Sequence, residues 1–179
     1  MKSSLEKIQK FLAVEFPQSL EYCQLVDIKP KGSTVCYRVN DGQLRPGGTI
    51  SGPTIMAVAD FALYVAILSE IGLVGLAVTT NININFLRKP DGQRDLIGEC
   101  RLIKVGKALV VGEVWVYSEG QEEPVAHVTG TYSIPPKSSS WFCKTWWFIY
   151  GMVNYKNKKP DQLIRFFSIT KLSFQTYIY

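Results

Sequence analysis

The sequence predicts an α+β domain in which an antiparallel sheet wraps around one long central helix. Three observations lead there. Gly52 to Leu68 is apolar on every side and carries a single charge, Asp60, so it reads as a helix covered all round. Four β segments follow it, Gly75 to Leu87, Asp95 to Lys104, Ala108 to Tyr117 and Pro124 to Ile134. Two of these alternate clearly, Asn81-Ile82-Asn83-Ile84-Asn85-Phe86 and Val125 to Tyr132, as half-buried strands do.

Taken in order, Ser4 to Val14 places Leu5, Ile8, Phe11 and Leu12 at the spacing of a short amphipathic helix, which Pro17 ends. Cys23–Ile28 and Thr34–Val39 read as a hairpin about the turn-rich Lys29-Pro30-Lys31-Gly32-Ser33. A glycine-rich turn, Arg45 to Gly52, leads into the long helix, with Pro53 in its first turn and Gly72 available as its stop. Val105-Gly106-Lys107 and Ser118 to Glu122 supply the hairpin connections between the later strands.

Length alone favours one domain, and charge divides the chain. Residues 1–136 hold 13 Lys+Arg against 14 Asp+Glu, whereas residues 137–179 hold 7 against 1. The basic excess therefore belongs to the extension, and the core offers no nucleic-acid-binding surface by charge. Cys23, Cys36, Cys100 and Cys143 show neither C-x-x-C spacing nor a histidine cluster, so no redox motif and no metal site is expected. The first residues mix acid with base and lack an uninterrupted apolar stretch, which predicts a cytoplasmic protein.

Asp60 draws the functional argument. An ionised carboxylate in apolar surroundings is costly unless partners compensate, which marks it as a candidate active group. Its alternative is a structural carboxylate capped by an N–H or paired with a cation such as Arg45. The nearby glycine-rich turn leaves backbone N–H groups free at the helix start, so an acid and an oxyanion-binding end lie on one element.

Three pieces carry a resemblance: Ser51-Gly52-Pro53 followed by Asp60, the strand Ala77 to Leu87, and Ile103 to Val110. Together they resemble the hotdog-fold acyl-CoA thioesterases, most closely the phenylacetate-pathway (PaaI-like) type, over roughly residues 20–135. The resemblance implies a hotdog fold and hydrolysis of an acyl-CoA to free acid and CoA, with no cofactor beyond that substrate. In the family an H-G-G-x6-D pattern opens the helix. By position, Asp60 takes the role of general base or nucleophile and the Gly52 N–H polarises the thioester carbonyl. Thr79 matches a hydroxyl residue near the attacking water, with Thr80 as its neighbouring alternative. Ser51 stands where the family has His, and Pro53 replaces the second Gly.

Asp60 lies roughly 10 Å along the helix from its start, too far to share a substrate atom with Gly52 of its own chain. The resemblance resolves this with a homodimer or homotetramer whose active site lies at the subunit interface. Arg88, Lys89, Lys104 and Lys107, with Gly106 allowing close approach, are the candidates for the CoA phosphates. A non-catalytic hotdog protein binding acyl-CoA or a related ligand is the alternative function.

Other residues have plainer readings. Ser51 also suits a helix N-cap, and Thr79 an ordinary strand face. His127, the sole histidine, reads as a satisfied structural residue, and no histidine lies near the helix to serve a dehydratase or hydratase. The extension, residues 137–179, holds 12 of the 22 aromatic residues. It reads as an interfacial membrane contact, a base-stacking surface or an unselected extension past Pro136, the last being preferred.

Overall fold

The apolar segment forms the central helix α2, Gly52–Ile71, and all six strands of one antiparallel sheet touch it. The computed structural model describes residues 1–136; the extension and its three readings lie outside the described residues. Before α2 come the helix α1 (Leu5–Glu15), the strands β1 (Cys23–Lys29) and β2 (Gly32–Tyr37), and a short ribbon of β3 (Leu44–Arg45) and β4 (Thr49–Ile50). After it come β5 (Val78–Phe86), β6 (Leu96–Val105), β7 (Leu109–Ser118) and β8 (Ala126–Ser133). The sheet order is β1-β2-β6-β7-β8-β5, so β1 and β5 are its edges.

Local chemistry explains the boundaries. The Ser4 hydroxyl accepts from the Lys7 N–H at the start of α1, and Ile8 and Leu12 bury that helix's apolar side. Lys31, at φ 57°, closes the β1–β2 turn, which is shorter than the five turn-forming residues suggested because Gly32 already belongs to β2. Gly72 caps α2 at φ 102°, where a side chain would be strained. The Gly106 N–H bonds the Leu109 carbonyl across the β6–β7 turn, and a Cβ at Gly106 would stand 2.7 Å from that oxygen.

The helix is not covered all round. Val58, Ala59, Ala62, Leu63, Val65 and Ala66 are fully buried, but Pro53 and Ala57 are exposed and Met56, Asp60 and Tyr64 are half-buried. These positions recur at three- and four-residue spacing and make one open stripe. Asp60 therefore sits at the rim of the core rather than inside it, which corrects the expectation of a buried carboxylate. Apolar composition misled that expectation because Pro, Met and Ala on the open stripe are indistinguishable, residue by residue, from core.

Close seating of α2 depends on glycines in the strands beneath it. Gly112 and Gly130 pair directly, and a Cβ on either would come within 2.6 Å and 2.5 Å of the Leu63 methyls. Gly130→Val is expected to destabilise the domain by about 1–3 kcal/mol through overpacking, read as a lowered melting temperature. An unchanged melt would mean that α2 can retreat from the sheet freely.

Candidate active site

Asp60 projects from the open stripe of α2 toward the first residue pairs of β5 and β8. Its Oδ1 accepts the Thr79 hydroxyl at 2.7 Å and the Tyr132 hydroxyl, also at 2.7 Å. The Tyr132 oxygen lies 3.0 Å from the Asp60 backbone carbonyl as well. Among the described residues Asp60 makes no ion pair, so the Arg45 alternative is not realised.

A β-bulge puts Thr79 there. Ile82 and Ile84 lean on the core while Asn81, Asn83 and Asn85 face out, so strict alternation would turn Thr79 outward with the asparagines. Thr79 pairs with Tyr132 and Asn81 with Thr131, leaving Thr80 as the extra residue. That single insertion reverses the faces. Thr80 instead gives its hydroxyl to the Thr131 carbonyl at 3.1 Å.

Tyr132 is the residue that sequence reasoning missed. It ends the inward series Val128, Gly130, Tyr132 on β8 and is 3% exposed. A buried phenol needs a polar partner, and the carboxylate on the facing helix is the natural one. Burial first, then the Asp60 charge, push the Tyr132 hydroxyl well above the usual tyrosine range. It therefore stays a donor.

Gly52 begins α2, with Pro53 second and within the first turn as expected. First-turn N–H groups have no acceptor inside a helix, so the Gly52 end can receive an anionic oxygen. The Phe86 ring closes over it, 3.2 Å from where a Cβ would be. Ser51 holds the N-cap position, but its hydroxyl meets the Thr54 hydroxyl at 2.8 Å and caps no backbone N–H. Gly52 lies about 12 Å from Asp60 along the helix. The two mark opposite ends of β5, one beside Phe86 and the other beside Thr79.

The basic candidates divide likewise. Arg88 pairs with Glu123 at 3.0 Å and donates to the Pro124 carbonyl, and Lys89 reaches the Gly47 carbonyl at 3.3 Å, all near the end of β5. Lys104, Gly106 and Lys107 surround the β6–β7 turn, which leads into Leu109 opposite Ser133, itself opposite Val78 at the start of β5. Within one chain the two groups do not share a cleft mouth. An open groove of about 450 Å³ beside β1 and α1, lined by Lys10, Leu20, Tyr22, Cys23 and Arg38 among others, contains none of the candidate residues.

His127 lies on the outer face of the sheet, away from Asp60. Its ring packs on Trp115 at a 37° tilt, centroids 4.2 Å apart, and meets Glu113 at 3.3 Å, while Arg101 holds the same carboxylate at 2.8 Å. The His127 hydrogen bond, with Arg101 assisting, holds Glu113 below its usual 4.5. A carboxylate depressed by folding adds stability above its unfolded value and loses it as pH falls through the folded one. Glu113→Gln is thus expected to melt below wild type near neutral pH, with the gap closing below about pH 4.5. A gap independent of pH would contradict this.

Comparison with known proteins identifies the family and the fold. A family model described as the thioesterase superfamily matches residues 47–125. A crystal structure from Silicibacter sp. TM1040, described as a thioesterase candidate, is 42% identical over 73% of this chain and 91% of that one, with a TM-score of 0.68. The phenylacetic acid degradation protein PaaI of Thermus thermophilus, solved as a point mutant, is 22% identical over 66% of this chain and 99% of its own, with a TM-score of 0.58. A Streptococcus mutans protein solved with acetyl-CoA is 24% identical over 64% of this chain and 90% of its own, TM-score 0.55. At that identity the last two establish the shared fold alone. No curated protein matches the chain.

Proposed function

The chain belongs to the thioesterase superfamily, with the hotdog fold, and from that premise we propose that it hydrolyses an acyl-CoA thioester to free acid and CoA. Asp60 acts as general base or nucleophile, and the Gly52 N–H of a second subunit receives the carbonyl oxygen. The observation that carries this reading is the Asp60 carboxylate on the open stripe of α2, with Oδ1 occupied by two hydroxyls and Oδ2 without a partner among the described residues.

A water near Oδ2 would pass its proton to the carboxylate as its oxygen bonds the thioester carbon; collapse then breaks the C–S bond, and the thiolate takes that proton. As nucleophile, Oδ2 would itself bond the carbon, the C–S bond would break and the CoA thiolate would leave to take a proton from water; a second water would then cleave the anhydride to free acid and the Asp60 carboxylate. Either route builds negative charge on the carbonyl oxygen, where the free N–H at the start of α2 lowers the barrier.

The edge of β5, uncovered by any strand among the described residues, supports the two-subunit arrangement. Val78, Phe86 and Leu87 along it are about half exposed, an aggregation-prone edge unless another strand covers it. Antiparallel pairing of two β5 strands about a twofold axis between Ile82 and Asn83 would set the start of one beside the end of the other. Gly52 and Phe86 of one subunit would then approach Asp60 and Thr79 of its mate, and Arg88 and Lys89 would approach the turn carrying Lys104 and Lys107. Both a dimer and a tetramer built on that pair satisfy this geometry. The Streptococcus mutans protein of the same fold was solved with acetyl-CoA, which is consistent with the proposed substrate.

Purified protein assayed with acyl-CoA compounds of graded chain length, with thiol release as the signal, tests the activity. Turnover of at least one is expected. The Ser51 hydroxyl, engaged with Thr54 where the family places His, favours the second reading, a hotdog protein that binds acyl-CoA without hydrolysing it. Saturable binding across the series with no thiol release would establish that reading instead.

A further inference from the structure

We propose that Tyr132 is a positioning residue for the reaction: its phenol, with the Thr79 hydroxyl, fixes Asp60 Oδ1 so that Oδ2 is the oxygen that meets water or the thioester carbon. This rests on the assignment of Asp60 as the reacting acid.

The geometry argues for it at three levels. Thr79 and Tyr132 are register partners across β5 and β8, so one strand pairing delivers both hydroxyls to one oxygen. The Tyr132 ring is buried and stacked on Tyr64, ring centroids 6.4 Å apart, and the Tyr64 hydroxyl is anchored on the Gly75 carbonyl at 3.2 Å. The phenol therefore cannot swing away without disturbing the core. Its single proton has two acceptors in reach, the Asp60 carbonyl at 3.0 Å and Oδ1 at 2.7 Å, and the ionised, nearer one is preferred.

A phenylalanine would fill the same space. What the hydroxyl adds is its hydrogen bonding to Asp60, and a carboxylate on a half-open stripe is a group whose rotamer needs fixing. Orientation of Oδ2 matters because misplacing a reacting group lowers rate steeply.

Tyr132→Phe, assayed beside Asp60→Asn, tests the proposal, with kcat, KM and the pH profile of kcat/KM as readouts. The expected result is a fall in kcat of roughly tenfold to a hundredfold, the loss of a hydrogen bond to a charged group, with KM little changed. The acid limb of kcat/KM should move to higher pH, because the carboxylate has lost a donor. Site-specific 3-fluorotyrosine at position 132, a more acidic phenol and stronger donor, should keep activity and move that limb to lower pH. Wild-type kcat and an unmoved limb in Tyr132→Phe, with Asp60→Asn inactive, would overturn the role of Tyr132 and leave that of Asp60 standing. Wild-type turnover by Asp60→Asn would instead overturn the assignment beneath it. Should Tyr132→Phe fail to fold, the fluorotyrosine protein decides, and an unmoved limb there overturns the proposal.

Discussion

Asp60→Asn is expected to lower kcat for acyl-CoA hydrolysis by about 10²–10⁴ and to leave the fold intact. The amide matches the carboxylate in size and can still accept from Thr79 and Tyr132, so the contacts at Oδ1 need not be lost. What disappears is the capacity of the second oxygen to take a proton or attack carbon. Single turnover in isotopically labelled water separates the two routes: label enters the product directly if Asp60 is the base, and enters Asp60 first if it is the nucleophile. Undiminished thiol release by a folded Asp60→Asn protein would remove Asp60 from the chemistry.

The second large effect should come from residues that touch no substrate. Val78 and Leu87 are 54% and 49% exposed on one chain, so replacing both with lysine should cost little in the isolated fold. In β5–β5 pairing centred between Ile82 and Asn83, each Val78 faces the Leu87 of the other chain, and four lysines would then crowd two sites of contact. The double variant is expected to be monomeric by light scattering. Its activity should fall by about 10²–10³, the scale of losing one oxyanion donor, because Gly52 of the second subunit is gone. A monomer with full activity would show that one chain suffices.

Much of the fold was legible in the sequence for physical reasons that are easy to name. The apolar run from Gly52, the stop at Gly72, the turn at Gly106 and the alternation around Ile82 and Ile84 each encode a local structure that tertiary contacts did not overrule. The site was legible only in part. Asp60 stood out as a charge among apolar residues, and the glycine-rich turn marked the helix start. The open stripe was hidden because Pro53, Met56 and Ala57 carry no polarity to announce it. Choosing Thr79 over Thr80 required the bulge at Thr80, which follows from sheet register rather than from the residues themselves. Tyr132 escaped notice because it lies 72 positions from Asp60 and continues an ordinary inward alternation. Only the apposition of β8 to α2 gives its hydroxyl a meaning.

The central claim is that one active site takes Asp60 from one subunit and Gly52 from another, and subunit mixing tests it directly. Asp60→Asn and Gly52→Val proteins, each expected to be inactive alone, the latter because its side chain meets the Phe86 ring, would be unfolded together in equal amounts, refolded and assayed. Random reassortment into twofold pairs should restore about a quarter of the wild-type sites, since half the pairs are mixed and each mixed pair holds one intact site. No recovery above the separate proteins, with mixed pairs demonstrated by differential tagging, would place both groups in a single chain and contradict the account.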